Sequence, residues 1–377
     1  MNLPEPVLVI DQSGLELCIS QCFRADAVAI DTEFVRTDTF YPRLGLIQLS
    51  DGDRVWLVDP LAIDDFSLLK ALLMSADVIK VFHSCSEDLE VLRHEYGVTP
   101  EPLFDTQIAA AFLDYGFSRG YSAIVEAVLG VTLDKHETRS DWLQRPLSES
   151  QLKYAAEDVY FLMKVYRKVV EELEGKGRLQ WMAEEMNELV QHGKSPDSID
   201  DYYLRVKGAW RLTASELATL RALTVWRETE ARERDRPRNR ILSDKALLEL
   251  LRFKPQQLNG LYSIDGFHKG VIRRYGERIM EIVQGEADPE NLQELPEPLD
   301  KEGRSLLSHC RQKLESKAGK LGMAPELLAR KKDLEPLVKS VLDGRPTLPL
   351  RLAGGWRGEV IGDDLLGYVS SRGDVNV

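Results

Sequence analysis

Residues 27–34 read AVAIDTEF, a run of small and branched apolar residues that ends in two carboxylates. The apolar part suits a buried strand. Side chains alternate along a strand, so Asp31 and Glu33 share one face beside an apolar core. Two like charges at that spacing repel each other. A chain that places them there needs a sheet to fix them and a partner that makes their crowding tolerable.

The surrounding pattern indicates such a sheet. RLGLIQLSD (43–51) and DRVWLVD (53–59) are short, branched and apolar, and Gly52 in the SDGD turn joins them as a hairpin. FSLLKALLM (66–74) has helical period and VIKVF (78–82) reads as another strand. SEDLEVLRHEYG (86–97), TQIAAAFLDYG (106–116) and YSAIVEAVLG (121–130) read as helices that stop at glycine. Hairpin strands, then alternating helix and strand, then helices predict an α/β domain with a mixed sheet flanked by helices.

PLSESQLKYAAEDVYFLMKVYRKVVEELEGKG (146–177) opens with Ser148 and Gln151 at capping-box spacing, and its apolar residues recur at helical period to about Leu173. Residues 176–204 read as a linker, with HGKSPDSIDD (192–201) the most open stretch. From 205 onward helices dominate. An internal repeat emerges at an offset of 87 residues, pairing Leu220 with Leu307, Glu228 with Glu315, Ala231 with Ala318, Ile241 with Leu328, Lys245 with Lys332 and Leu247 with Leu334. This favours two small all-α domains, 205–290 and 300–377, parted by the Pro- and acid-rich PEPLDKEG (296–303). The α/β domain spans 1–175.

Composition narrows the function classes. The net charge of −13 hides an uneven distribution. Residues 1–175 hold 15 Lys and Arg against 30 Asp and Glu, whereas 205–284 hold 17 against 10. An acidic half joined to a basic module fits a metal-binding acidic site served by a basic docking surface. Cys18, Cys22, Cys85 and Cys310 form no CxxC pair, so a zinc site or disulfide framework is not expected, and a reducing, cytoplasmic setting fits. No membrane span or signal peptide is expected.

Three segments carry the chemistry. Asp31 and Glu33 end the first strand named above. Asp88 lies just inside a helix that follows a strand. Tyr154 and Asp158 are one turn apart on the long helix and point the same way. Packing that helix on the sheet brings Asp158 toward Asp31. Strand ends and helix starts gather at one edge of such a sheet, so Asp88 can join them. Four carboxylates in one pocket do not all stay ionised unaided. Hard divalent cations with oxygen ligands relieve the repulsion, and two of them roughly 4 Å apart can clamp the oxygens of a phosphodiester. His83 reads as a packed strand-end histidine.

In this order the segments resemble the DEDD exonuclease superfamily. Tyr154, four residues before Asp158, matches its tyrosine subclass; the histidine subclass would place a histidine where Lys153 stands. DTEF, YPRLGLIQLSD, FHSCSEDLEVL, FDTQIAAAFLDYG and LDKHETRSDWLQRPLSESQLKYAAEDVYFL resemble the bacterial ribonuclease D family, and residues 212–255 resemble its HRDC domain. The second helical segment resembles a diverged HRDC copy, and GWRGEVIGDDLLGYV resembles the C-terminus of the family. The resemblance implies a ribonuclease H-like fold followed by two HRDC-like domains. It implies a 3′→5′ exoribonuclease that releases 5′-mononucleotides, with two divalent ions, Mg²⁺ or Mn²⁺, held by Asp31, Glu33, Asp88 and Asp158. Tyr154 would orient the attacking water. The implied substrate is structured RNA with a 3′ extension, tRNA precursors above all, and a monomer is favoured.

Two features stay open at this level. RETEARERDRPRNR (227–240) suits phosphate contact, or an interleaved Arg/Glu helix face making surface pairs. Phe34, Tyr41 and Trp142 suit base stacking or core packing. A DNA 3′→5′ exonuclease of the proofreading type and a non-catalytic RNA-binding scaffold are the competing functions. The intact set of four carboxylates and a tyrosine argues against the scaffold.

Overall fold

The computed structural model describes residues 3–133, 137, 140–194, 198–293 and 295–373. Five residues of the motif from 133 to 162 and part of the open stretch at 192–201 fall outside that set.

Six strands form one sheet. They are β1 (Val7–Val9), β2 (Ala27–Val35), β3 (Arg43–Ser50), β4 (Val55–Val58), β5 (Ile79–Phe82) and β6 (Leu103–Asp105), in the order β1-β4-β3-β2-β5-β6. β3 runs antiparallel to both its neighbours, β2 and β4, while β1–β4, β2–β5 and β5–β6 are parallel. The sheet is therefore mixed, as expected. β1 and β6 carry only three residues each, too short for an alternation to announce them in sequence. Gly52 turns the β3–β4 hairpin at φ +99°, a region open to glycine at no steric cost.

Helices cover the sheet: α1 (Gln12–Cys22), α2 (Ser67–Leu73), α3 (Ser86–Tyr96), α4 (Thr106–Phe112), α5 (Tyr121–Leu129), α6 (Glu149–Gly175) and α7 (Leu179–Lys194). α6 begins with the expected reciprocal capping box between Ser148 and Gln151. It buries Ala155, Val159, Leu162, Val165, Val169 and Leu173 against the sheet and its neighbours, each large apolar side chain worth roughly 1.5–3 kcal/mol. α3 and α5 end at Gly97 and Gly130 as expected, but α4 stops at Phe112, before Asp114 turns left-handed at φ 66°. The four cysteines are buried thiols.

The remaining helices are α8 (Ala214–Glu233), α9 (Arg238–Ile241), α10 (Asp244–Phe253), α11 (Lys269–Gln284), α12 (Lys301–Leu321), α13 (Pro325–Leu328), α14 (Lys331–Leu342), α15 (Leu350–Ala353), α16 (Gly355–Arg357) and α17 (Asp363–Gly373). The 87-residue offset holds at the level of elements. α12, α13 and α14 begin 87 residues after α8, α9 and α10, and N-cap Asp300 stands 87 after N-cap Thr213. Leu220, Ala231, Ile241 and Leu247 are buried, and so are their partners Leu307, Ala318, Leu328 and Leu334.

The chain divides into two compact units that differ from the expected partition. The first comprises residues 1–35, 43–194 and 299–377; the second comprises 36–42 and 195–298. Two expectations are thereby corrected. Residues 179–194, read as linker, form α7, because Met182, Met186 and Val190 recur at i+4 and are buried. The segment after 299, read as a free-standing domain, packs into the first unit. The amide of Ala324 donates to the carbonyl of Ala111 at 2.8 Å. Arg178 donates to the carbonyls of Phe112, Leu321 and Gly322, closing the end of α12. Trp356 stacks on Trp181 with ring centroids 5.0 Å apart.

Glu185 on α7 is the polar centre of that packing. Its carboxylate accepts from both terminal nitrogens of Arg357, from the Trp356 indole at 2.9 Å and from Arg351 at 3.3 Å. Burial alone would raise its pKa, but Arg357 and its other donors hold the carboxyl below the usual range. Arg357 is only 4% exposed, so removing Glu185 leaves its buried charge with only the half-exposed Glu188 carboxylate, 3.9 Å away.

In the second unit, residues 36–42 form a strap on the helical core. The amides of Phe40 and Tyr41 both donate to the Asp235 carboxylate at 2.9 Å, and the guanidiniums of Arg232 and Arg238 lie over the Phe40 ring. The arginines of 227–240 are mostly consumed inside this unit. Arg227 is bonded to Asp244, Arg234 to Glu230, and Arg238 to the fully buried Glu228. Pairing of the kind expected is present, but two of these pairs are anchored in the unit's core, through Arg227 and Glu228, and do not lie on a surface face, while Arg236 and Arg240 stay exposed. The pairing also explains why the repeat departs at Glu315: Pro325 stands where Arg238 does, and Glu315 is exposed.

Glu185→Ala is expected to lower unfolding stability by about 3–5 kcal/mol, read as a lower urea midpoint at constant slope. A midpoint equal to wild type would show that Arg357 contributes no buried pair.

Candidate active site

β2 brings Asp31 and Glu33 to one face, and α6 lies across the sheet with Asp158 facing them. Ligand oxygens of Asp31, Glu33 and Asp158 all lie within 4.8 Å of one another. Tyr154, one turn before Asp158, has its hydroxyl beside that carboxylate. Its ring packs beside Trp142, with centroids 6.2 Å apart. Trp142 is 2% exposed and serves as core behind the site, which removes it from the stacking candidates. Gly45 permits that arrangement, since a Cβ there would sit 2.6 Å from the Trp142 carbonyl oxygen. Phe34 is half-buried against the core, and Tyr41 belongs to the strap, edge-on to Phe40.

Asp88 takes a different position. It is 7% exposed in the first turn of α3, and its carboxylate accepts from the Thr32 hydroxyl at 2.5 Å. Thr32 alternates with Asp31 and Glu33 along β2 and so leaves their face. Asp88 thus stands outside the mutual 4.8 Å group, yet near enough for its charge to be felt by Glu33 and for it to feel Asp31.

The electrostatics are those of acids crowded out of water. Burial raises Asp31 to about 6. Burial, followed by repulsion from Asp31, Asp158 and Asp88, raises Glu33 to about 10. Asp88 and Asp158 are pushed well above the carboxylate range by burial and then by Asp31. Among the described residues none of the four forms an ion pair. An all-oxygen, all-carboxylate donor set without a basic partner is the chemistry that hard divalent cations satisfy. The cluster is thus suited to divalent metal use. Burial and then the neighbouring carboxylates also drive the Tyr154 hydroxyl upward, so it keeps its proton at neutral pH.

Supporting residues escaped sequence reasoning. Thr32 sits inside DTEF, but its partner 56 residues away is visible only in three dimensions. Tyr121 donates to the backbone carbonyls of Asp158 at 2.5 Å and Glu157 at 3.1 Å, pinning the turn of α6 that carries the carboxylate. Asp105 accepts from the amides of Ser84, Cys85 and Gln107, so one carboxylate ends β6, caps α4 and fixes the entry to α3. The only local signal was an aspartate before a helix, which marks the α4 cap alone. His83 bonds to Thr106 and to the Arg119 carbonyl and packs edge-on to Tyr121, as a structural histidine does.

Comparison with known proteins agrees with this geometry. The 3′-5′ exonuclease family model matches residues 6–174, and the HRDC domain model matches residues 216–283. The chain is 45% identical to ribonuclease D of Pseudomonas paraeruginosa over 377 residues, covering 98% of this chain and 99% of that one. It is 37% identical to ribonuclease D of Escherichia coli, covering 95% and 96%. The crystal structure of Escherichia coli RNase D, described as an exoribonuclease involved in structured RNA processing, superposes with a TM-score of 0.85 at 35% identity, covering 97% of this chain and 99% of that one. With the fold, the acidic cluster and near full-length identity in agreement, the chain belongs to the ribonuclease D family of 3′-5′ exonucleases.

Proposed function

We propose that this 3′→5′ exoribonuclease removes nucleotides singly from the 3′ end of structured RNA, tRNA precursors above all, with Asp31, Glu33, Asp88 and Asp158 as metal ligands and Tyr154 as the residue that orients water. The observation that carries the reading is the meeting of Asp31, Glu33 and Asp158 within 4.8 Å, beside the Tyr154 hydroxyl. Two Mg²⁺ or Mn²⁺ ions held there would lower the pKa of a water and neutralise charge on the scissile phosphate.

The chain's own groups have separate tasks in this scheme. The charge of Asp31 is felt by each of the other three carboxylates, so Asp31 stands at the centre of the set that would hold the metal. Thr32 donates to one oxygen of Asp88 and leaves the other to a ligand. Tyr154 keeps its proton, so it orients water by hydrogen bonding and does not serve as the base. In each turnover the water oxygen bonds to phosphorus and the P–O3′ bond breaks. The released nucleotide keeps a 5′-phosphate and the shortened RNA regains a 3′-hydroxyl. The second helical copy, 300–377, is read as a diverged HRDC module absorbed into the nuclease unit. A cytoplasmic monomer fits the reading. No helix among the described residues is long and apolar enough to cross a membrane.

RNA with a short 3′ trailer, incubated with Mg²⁺ or Mn²⁺, should yield 5′-mononucleotides, and EDTA should abolish the yield. Oligonucleotide products would point to internal cleavage and overturn the mechanism. Asp31→Ala and Asp158→Ala should each lose at least about a hundredfold in kcat and bind Mn²⁺ more weakly by calorimetry. Full activity in Asp158→Ala would remove it from the site. Tyr154→Phe keeps the ring against Trp142 and should lose about 10–100-fold in kcat with RNA affinity unchanged. A variant as fast as wild type would show that the hydroxyl orients nothing.

A further inference from the structure

Pairing of the 227–240 arginines leaves open where the second unit presents free positive charge. One such place is α11. Lys269, Arg273 and Arg274 are exposed there, and among the described residues none of them forms an ion pair. They line a groove of about 640 Å³ together with Leu258, Tyr262 and Glu277.

The groove is a built feature of the helical fold. Residues Leu258–Ser263 form a 3₁₀ turn whose Leu261 is fully buried. That turn lies against α11 at Gly276, where a Cβ would come within 2.7 Å of Leu258 Cδ1. Anchoring Leu261 inward leaves Tyr262 55% exposed at the groove. Lys269, Arg273 and Glu277 follow at i+4 along α11, so two of the three cations share one stripe. Gly270 opens onto free space in the first turn, and His268 makes no side-chain cap.

Three cations against one carboxylate, flanking an exposed aromatic ring, complement a polyanion that carries planar bases. The chain has a reason to need such a surface. Its net charge is −13 and its first 175 residues are twofold richer in acid than in base, so the nuclease fold by itself repels a polyphosphate. We infer that the α11 groove binds a single-stranded segment of the RNA substrate, with Lys269, Arg273 and Arg274 on phosphates and Tyr262 stacked on an unpaired base. The inference rests on the reading of the chain as an RNA exonuclease and adds where in the helical unit that RNA is held.

The test uses the full chain, an RNA with an unpaired 3′ extension, and binding by fluorescence anisotropy across a salt series in Ca²⁺. Lys269→Ala/Arg273→Ala should bind less tightly and flatten the plot of log affinity against log salt by about 1.4, at roughly 0.7 per phosphate contact in single strands. Tyr262→Ala should weaken binding about tenfold, and Tyr262→Phe should restore it, because stacking needs only the ring. Single-turnover kcat at saturating enzyme should stay at the wild-type value in Mg²⁺. Both cations and the tyrosine are exposed, so equal thermal melts are expected. Wild-type affinity and salt slope in the double variant, with the wild-type chain still digesting RNA, would overturn the groove alone and leave a protein partner as its occupant. An equal loss in Lys320→Ala/Lys332→Ala, exposed cations of the other unit, would mark a diffuse field and overturn it too. A wild-type chain that leaves RNA intact would overturn the exonuclease reading and the groove with it.

Discussion

Repulsion among buried carboxylates is the constraint around which the first unit is arranged. Asp31, Glu33 and Asp158 would separate if the backbone let them, and the backbone does not. β2 lies between β3 and β5 in the sheet, and α6 is held on the sheet by a long apolar face. The cost of the cluster is met by that packing, which is why the residues around it are so fully tied. Tyr121 grips the carbonyls of α6, Thr32 grips Asp88, and Asp105 fixes the entry to α3. A site whose ligands repel each other is poised to gain from cation binding without moving far.

The two helical copies show how one frame serves unlike ends. Their first three helices start at the same offset and bury the same positions. The earlier copy closes its own core and pairs Arg227, Arg234 and Arg238 internally, with Glu228 and Arg238 at the centre. The later segment has no such pair, since Pro325 stands where Arg238 does and opens α13. Its buried charge chemistry is instead intermolecular in style though not in fact: Glu185, an acid from α7, answers Arg351 and Arg357. Helical packing tolerated both outcomes because the apolar positions were kept.

Much of this was legible from residues. AVAIDTEF, the 43–59 hairpin, VIKVF and the capped long helix are found as read, since their periods are long or their turn residues explicit. Tyr154 and Asp158 share a face because 3.6 residues per turn allows nothing else. What could not be read has a common cause. Thr32–Asp88, Tyr121–Asp158 and Glu185–Arg357 each join positions between 37 and 172 residues apart, and no local pattern encodes a partner at that distance. α7 reads as a linker in sequence because its polar composition masks Met182, Met186 and Val190, buried at i+4. Domain limits failed for the same reason: a boundary depends on which surface a helix is buried against, and the 299–377 segment is buried against the nuclease fold.

The strap has a consequence for how such a chain can be rearranged. Residues 36–42 come from the first ninth of the sequence but are part of the second unit, with Phe40 packed against its core. The polypeptide therefore passes between the two units four times. The helical unit is not a bead on a string, and one nick after residue 194 would leave it tethered by its other crossings. A recombination event that swapped 195–298 as a cassette would deliver a module lacking the piece that Asp235 and the two arginines are shaped to hold. Compatible exchange between relatives has to carry both segments together, which binds the history of a surface loop beside β2 to that of helices nearly two hundred residues away.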